Sequence, residues 1–209
     1  MARWIPLVAA CALMLAGCPR KVGGDDAGPD ATDAGYDPEV GNRFTGPLVL
    51  DDARMEGIDP SALRAGSAPC RAPILGRVFR VADGDTISVE GLSEVVVLNV
   101  RMIGVDTPEV AHEGMPAECY GDEAADFTRQ LEGHLVWLTF DEDCTDRFDR
   151  TLAYVHVGTG DGDLFERQLL RRGFANVLTI GGNDAYATQF RSDESAAASE
   201  NAGLWGFCL

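Results

Sequence analysis

The stretch Arg101-Met-Ile-Gly-Val-Asp-Thr-Pro-Glu109 ends a hydrophobic run and then places two carboxylates close together. More carboxylates precede it in Asp83-Gly-Asp85-Thr86, and arginines follow in Asp146-Arg-Phe-Asp-Arg150. Carboxylate and carbonyl oxygens suit a hard cation, and the planar guanidinium group suits an anionic oxygen cluster. The three segments together indicate metal-assisted cleavage of a phosphodiester bond.

These segments lie in one predicted domain that is rich in strands. Hydrophobic alternation predicts strands over 76–81, 86–90, 94–105, 134–140 and 151–158, and helical periodicity predicts helices over 121–133, 163–172 and 184–202. Strands that come first, with helices inserted late, favour an α+β arrangement over alternating βαβ units. We therefore expect a mainly β fold, a five-stranded barrel with three α-helices, of a kind that commonly binds oligonucleotides.

The order of the motifs resembles the staphylococcal-nuclease-like, or thermonuclease, family. The matching pieces are Val81-Ala-Asp-Gly-Asp-Thr86, Arg101–Glu109, Tyr120-Gly-Asp-Glu-Ala124, Asp146–Arg150 followed by Leu152-Ala-Tyr-Val155, Leu169-Leu-Arg-Arg-Gly173 and Gly203-Leu-Trp-Gly206. The resemblance implies that residues 70–209 form an OB-fold barrel. It also implies a calcium-dependent phosphodiesterase that acts on DNA or RNA.

The resemblance assigns roles to six positions. It implies that Asp85, Asp106 and the carbonyl of Thr107 bind Ca²⁺, that Glu109 holds or deprotonates the attacking water, and that Arg101 and Arg150 clamp the phosphate. Elementary chemistry agrees, because Ca²⁺ takes about six to eight oxygen ligands. Donors already in place stabilise the charge that develops on the phosphorus oxygens.

Each short motif also has a plain structural interpretation. Asp83-Gly-Asp85 is a common hairpin turn, and Asp106-Thr-Pro-Glu109 is a possible helix start with proline in the first turn. Arginines in an acidic protein often form structural ion pairs. Only the combination of the motifs favours the catalytic interpretation.

The chain departs from the family pattern near the second arginine. Phe148 stands where the family often has tyrosine, and Asp149 stands where it usually has glycine. After the second predicted helix, Thr179 and Gly181 replace expected tyrosines. These changes are expected to weaken substrate binding more than the chemical step.

The charge of the domain opposes nucleic-acid binding. From residue 71 onward, 24 Asp and Glu face 11 Arg and no Lys, a difference of 13 negative charges. Because nucleic-acid affinity comes largely from neutralisation of phosphates by basic side chains, we expect weak and strongly salt-sensitive binding.

Residues 1–18 resemble a bacterial lipoprotein signal. Arg3 precedes an apolar run of 12 residues, 4–15, which is too short to cross a ~30 Å hydrocarbon core. Leu15-Ala-Gly-Cys18 resembles a lipobox, so Cys18 is the predicted site of lipidation, and an ordinary cleaved signal peptide is the alternative. This predicts a protein of the bacterial cell envelope, with the outer membrane favoured, or a secreted protein. Residues 19–69 are predicted to be a flexible acidic linker rich in Gly, Asp and Pro, and the more mixed composition of 45–66 leaves open the alternative that these residues pack on the domain.

Four cysteines remain in the predicted domain, and an oxidising compartment favours disulfides between them. Three pairings are possible. We expect Cys70–Cys208 to bracket the domain and Cys119–Cys144 to pin a helix entrance beside the arginine loop. A zinc site is disfavoured because no Cys-x-x-Cys motif or histidine cluster occurs.

The sequence therefore predicts a Ca²⁺-dependent nuclease of low sequence specificity, monomeric and without a protein partner, tethered to the membrane by a lipid on Cys18. An OB-fold protein that binds nucleic acid or protein without catalysis is the first alternative. A structural envelope lipoprotein is the second, although such a protein needs neither arginine.

Overall fold

The computed structural model of the protein describes residues 36–37, 41–92, 96–179 and 181–208. The strands are β1 Tyr36–Asp37, β2 Gly41–Asn42, β3 Ile74–Asp83, β4 Thr86–Gly91, β5 Val97–Met102, β6 Gly104–Asp106, β7 Leu135–Thr139, β8 Thr151–His156 and β9 Asn176–Leu178. Five of them form a closed barrel in the order β3-β4-β5-β8-β7. The predicted five-stranded barrel is confirmed.

The barrel strands pair antiparallel except for β5 and β8, which run parallel. Side chains that alternate along the strands fill the interior, and Val78, Ile87, Val89 and Val100 are fully buried. Each such side chain contributes roughly 1.5–3 kcal/mol to folding through the apolar area that it removes from water. The parallel pair matters for the site, because it sets Val100 opposite Thr151 and so brings the segment before β8 beside β5.

Three helices flank the barrel, as predicted, and two short helices were not predicted. The helices are α1 Asp52–Gly57, α2 Gly121–Thr128, α3 Phe165–Arg171, α4 Ala187–Ser199 and α5 Leu204–Phe207. Helix α3 ends as its sequence predicts, with Gly173 in the left-handed conformation two residues beyond its last residue. Within the described part of the chain, every helix is too short or too polar to cross a membrane.

The prediction of one continuous strand over 94–105 is wrong near its end. The strand is interrupted after Met102, where the chain changes direction. Strand β5 stops at Met102, and β6 pairs with β9 in a separate two-stranded sheet. Gly104 makes the change of direction possible with a φ of 84°. A side chain there would overlap the ring of Phe190, so glycine is required for space as well as for conformation.

Residues 41–69 form an arm that packs on the barrel, which is the alternative that the sequence left open for 45–66. Met55 on α1 and Leu63 are buried against Leu135 and Trp137 of β7. The indole N–H of Trp137 also donates a 2.9 Å hydrogen bond to the carbonyl of Met55. Leu48 and Leu50 of the arm pack against the main core of the barrel as well.

A buried polar contact secures the start of the arm. The backbone and side-chain N–H groups of Asn42 both donate to the carboxylate of Asp163, each at 2.8 Å. The predicted signal over 1–18, the lipobox with Cys18 and most of 19–40 lie outside the described residues.

Both predicted disulfide pairs are wrong, although all four cysteines are bonded. The structure joins Cys70 to Cys144 and Cys119 to Cys208. The arm determines the first pair, because the Cys70 N–H donates to the carbonyl of Asp141 and so lies beside the loop that contains Cys144. Helix α5 determines the second, because it carries Cys208 to the residues that precede α2.

Candidate active site

Asp85 lies in the turn between β3 and β4, as the hairpin interpretation predicts, and its role in the site stays a prediction. Its side chain is 6% exposed. The backbone N–H of Thr107 donates to one carboxylate oxygen at 2.9 Å, and the Thr107 hydroxyl donates to the same oxygen at 3.2 Å. The site therefore uses the side chain and the amide of Thr107 to fix Asp85.

Arg101 on β5 lies between two carboxylates. Its Nη1 is 2.8 Å from Asp85 Oδ2, and its Nη2 is 2.7 Å from Asp106 Oδ1. Nη1 also donates to the carbonyl of Val105 at 2.8 Å. These partners fix the guanidinium in one position, so Arg101 has both the ion-pair role that was the plain alternative and a place in the site.

Glu109 follows β6 in an extended segment, so the alternative interpretation of Asp106–Glu109 as a helix start is wrong. The backbone N–H of Glu109 donates to the carboxylate of Glu118 at 3.1 Å. The N–H of Glu118 donates to the carbonyl of Glu109 at 2.9 Å. Glu118 was not predicted to matter, and no sequence signal pointed to it.

Arg150 is held by its own loop. Its Nε lies 2.7 Å from Asp146 Oδ2, and its backbone N–H donates to the other oxygen of Asp146 at 3.0 Å. Among the described residues, its Nη atoms have no hydrogen-bond partner. Phe148 is 64% exposed, with the guanidinium carbons of Arg147 and Arg150 at 4.6 and 5.6 Å from its ring centre.

An open cavity of about 540 Å³ brings the predicted residues together. Its lining includes all five side chains predicted for the site, namely Asp85, Arg101, Asp106, Glu109 and Arg150. Thr107 is not part of the lining and lies behind Asp85. Phe148 and Leu178 form an apolar portion of the wall.

Burial, with a smaller contribution from neighbouring carboxylates, raises the pKa of two carboxyl groups of the site. Burial raises the pKa of Asp85 to about 7, and Asp83 adds to this while Arg101 opposes it. Burial raises the pKa of Glu109 as well, with contributions from Asp83, Asp106 and Glu118. The negative charge around Asp85 and Glu109 therefore exceeds the charge that Arg101 neutralises.

This donor set fits a hard cation. The oxygens of Asp85 and Asp106 are of the type that Ca²⁺ prefers, and a positive ion offsets the cost of burying the Asp85 carboxylate. Across the described residues, no group of three or more His, Cys, Asp or Glu has an arrangement able to hold a metal. The third predicted ligand, the Thr107 carbonyl, is outside that set of side chains.

Comparison with known proteins agrees with this geometry. Residues 99–206 match the model of the family described as Staphylococcal nuclease homologue. The chain belongs to this family. The segment matched to the nuclease family contains Arg101, Asp106, Glu109 and Arg150.

Named relatives cover more of the chain than the family match does. A thermonuclease of Staphylococcus hyicus is 38% identical over 130 residues, which are 62% of this chain and 74% of that protein. A thermonuclease of Staphylococcus intermedius is 35% identical over 131 residues, 61% of this chain and 74% of that protein. Endonuclease YncB of Bacillus subtilis is 36% identical over 131 residues, 60% and 59% of the two chains. The protein is a nuclease, a hydrolase of phosphodiester bonds.

Proposed function

We propose that the protein is a Ca²⁺-dependent nuclease that hydrolyses DNA or RNA with low sequence specificity. The observation that carries the proposal is the bridge from Arg101 to Asp85 and Asp106 in the cavity that also contains Glu109 and Arg150. The residues come from one chain, so a monomer suffices for activity.

In this proposal Asp85, Asp106 and the Thr107 carbonyl hold the calcium ion. A bound calcium ion polarises the phosphoryl oxygen and orients the phosphodiester. The contacts from Thr107 to Asp85 keep this carboxylate in one orientation, so the donor is in place before substrate arrives.

Glu109 accepts the proton of the attacking water. Desolvation and neighbouring carboxylates raise the pKa of its carboxyl, which makes Glu109 a stronger base. The N–H groups of Arg101 and Arg150 donate to the phosphate oxygens that gain charge. Since aspartates already fix both guanidinium groups, little reorganisation accompanies the reaction.

Substrate capture relies on a small part of the surface. Phe148 offers an exposed aromatic face beside two arginines, and a base stacked on such a face contributes about 1–3 kcal/mol. Because the surrounding domain is acidic, affinity depends on few phosphate contacts. An affinity for single-stranded DNA that is the same at low and at moderate salt contradicts this part of the proposal.

The proposed location is the bacterial envelope, with the protein either anchored by a lipid on Cys18 or secreted. The lipobox-like sequence Leu15–Cys18 supports this location, and so do two disulfides, which persist in oxidising compartments. Fractionation of cells that express the full chain tests the anchor. We expect Cys18→Ala to move the protein from the membrane fraction to the soluble fraction.

The central experiment measures cleavage of a single-stranded oligonucleotide by the full chain, with Ca²⁺ or with chelator. The full chain is needed because residues 41–69 are part of the packed fold. We expect Ca²⁺-stimulated cleavage, and a fall of at least about a hundredfold in kcat for Glu109→Gln. Glu113→Gln is the matched control, since Glu113 is an exposed glutamate of the same loop. Absence of Ca²⁺-stimulated cleavage, or full activity of Glu109→Gln, contradicts the proposal, and binding without cleavage favours the silent OB-fold alternative.

A further inference from the structure

The loop 109–118 that begins with Glu109 has a closed neck. At the neck, Glu109 and Glu118 exchange two hydrogen bonds, one from each backbone N–H. Beyond the neck, His112 and Met115 pair with each other, and the His112 ring bonds to the Val110 carbonyl. The hydrogen bonds of His112 and Met115 are internal to the loop. The neck, formed by Glu109 and Glu118, therefore fixes the position of the loop on the protein.

Gly121 closes the neck from the other side. A Cβ on Gly121 would overlap the carbonyl oxygen of Glu109, so the two backbones are in direct contact. Tyr120 precedes it in the left-handed conformation with a φ of 73°. Its ring packs near Phe174 and Phe207, with ring centres 5.6 and 5.8 Å away. The chain therefore turns sharply in order to place Gly121 against Glu109.

A disulfide anchors this turn to the body of the protein. Cys119 stands between Glu118 and Tyr120 and is bonded to Cys208, which follows α5. Helix α5 is itself fixed, because the Leu204 N–H donates to the Gly173 carbonyl at 2.9 Å. The covalent bond therefore connects the neck of the Glu109 loop to the end of α3.

We propose that Glu118, Cys119 and Gly121 are positioning residues for Glu109, and that the Cys119–Cys208 disulfide keeps them in place. The inference rests on the catalytic role proposed for Glu109. The chain before Glu109 is fixed by the bond from Thr107 to Asp85, and the neck fixes the chain after it. Full turnover consequently requires the oxidised disulfide.

Two point variants test the neck in the full-length protein. Glu118→Ala removes the acceptor for the Glu109 N–H, and Gly121→Ala displaces the Glu109 backbone. Each is expected to lower kcat at least about tenfold with KM within about twofold, because misplacement of a catalytic group by about 1 Å has effects up to about a hundredfold. Glu118→Gln keeps an acceptor oxygen and is expected to restore most of kcat. Gly57→Ala is the glycine control, since a methyl group on Gly57 of α1 would meet nothing within 4 Å.

Amide hydrogen exchange tests the disulfide without relying on activity. The double variant Cys119→Ser/Cys208→Ser is compared with Cys70→Ser/Cys144→Ser, which also loses one disulfide of similar sequence separation, 74 residues against 89. We expect faster exchange of the Glu109 and Glu118 amides only in the first variant. The same variant is expected to lose at least about tenfold in kcat at a temperature where both remain folded.

The outcomes separate this inference from the proposed function. Wild-type protein without Ca²⁺-stimulated, Glu109-dependent cleavage overturns the proposed function and the inference with it. Such cleavage in the wild type, with unchanged exchange and unchanged kcat in Cys119→Ser/Cys208→Ser, overturns the inference alone. Equal losses of kcat in Glu118→Ala and Glu118→Gln overturn the positioning role of Glu118.

Discussion

Arg101 Nη1 lies 2.8 Å from Asp85 Oδ2, and each side chain is only 6% exposed. An ion pair this deeply buried loses most of its hydration, and the mutual attraction offsets that loss only partly. Burial accordingly raises the pKa of Asp85 to about 7 despite the arginine. The pair therefore contributes little to stability. Its effect is to hold both side chains in position for the reaction.

Arg101→Gln is expected to destabilise the protein when metal is absent. The substitution leaves the Asp85 carboxylate buried without its partner, which costs about 3–5 kcal/mol in comparable cases. Adding Asp85→Asn in that background removes the unpaired charge and is expected to recover most of the loss. Urea unfolding in chelator at about pH 8 measures both effects. Strictly additive losses in the double variant contradict the coupling.

Asp149→Asn is expected to improve substrate binding. Asp149 has a left-handed φ of 59°, which explains why glycine is usual at this position in the family, and asparagine tolerates that conformation. The variant removes a negative charge next to Arg150 and keeps the left-handed backbone conformation at residue 149. We expect KM for single-stranded DNA to fall about twofold to fivefold at low salt, as for a surface charge effect below about 1 kcal/mol, with kcat unchanged. A KM that does not respond shows that the charge is fully screened.

Met55→Ala tests the contact between the arm and the barrel. Met55 is 1% exposed and packs in the cluster with Trp137, so truncation leaves a cavity that costs about 2–5 kcal/mol. Denaturant unfolding followed by tryptophan fluorescence measures the loss. Met115→Ala is the matched control, because Met115 is 58% exposed and is expected to change stability by no more than about 0.5 kcal/mol. Equal stabilities of the two variants show that the arm is not part of the cooperative fold.

His156 gives the stability a specific dependence on pH. Burial lowers the pKa of His156 from 6.5 to about 4, while its Nε2 lies 2.9 Å from the Thr139 hydroxyl. Between these two values the unfolded chain binds more protons than the folded one. Stability is therefore unaffected by this group above about pH 6.5 and falls as the pH drops towards 4, by up to about 3 kcal/mol.

His156→Gln is expected to reduce this dependence, since glutamine does not titrate. Urea unfolding at several pH values between about 7 and about 4 measures the slope for the wild type and the variant. The wild type is expected to lose stability more steeply over this interval. Parallel slopes contradict the burial of a neutral His156.

The barrel and the meeting of the five predicted side chains in one cavity were predictable, because each rests on local signals, while the roles of these side chains stay predictions. Alternation marked the strands, and Asp85 and Arg150 stand at strand ends that the barrel brings together. The break at Gly104 also had a local signal, a glycine inside an apolar strand pattern, but the ring of Phe190 that requires it lies far along the chain.

The disulfide pairs and the arm were not predictable, because they depend on contacts between distant segments. Four cysteines permit three pairings, and sequence spacing does not rank them. The pairing follows from where Cys70 runs beside Asp141 and where α5 docks. The arm is mixed in composition, and its apolar residues have their partners in segments far along the chain, such as Leu135 and Trp137.

Under the proposed positioning role, the Cys119–Cys208 bond makes turnover depend on the redox conditions around the protein. A cell that makes a nuclease exposes its own chromosome to it, and cytosolic thiols are kept reduced. The disulfide holds the neck of the Glu109 loop in place. Newly made protein in the reducing cytosol, where the chromosome lies, lacks this bond and therefore has a low kcat. The protein reaches its full kcat only after the bond forms in an oxidising compartment. The bond therefore protects the DNA of the cell that makes the protein.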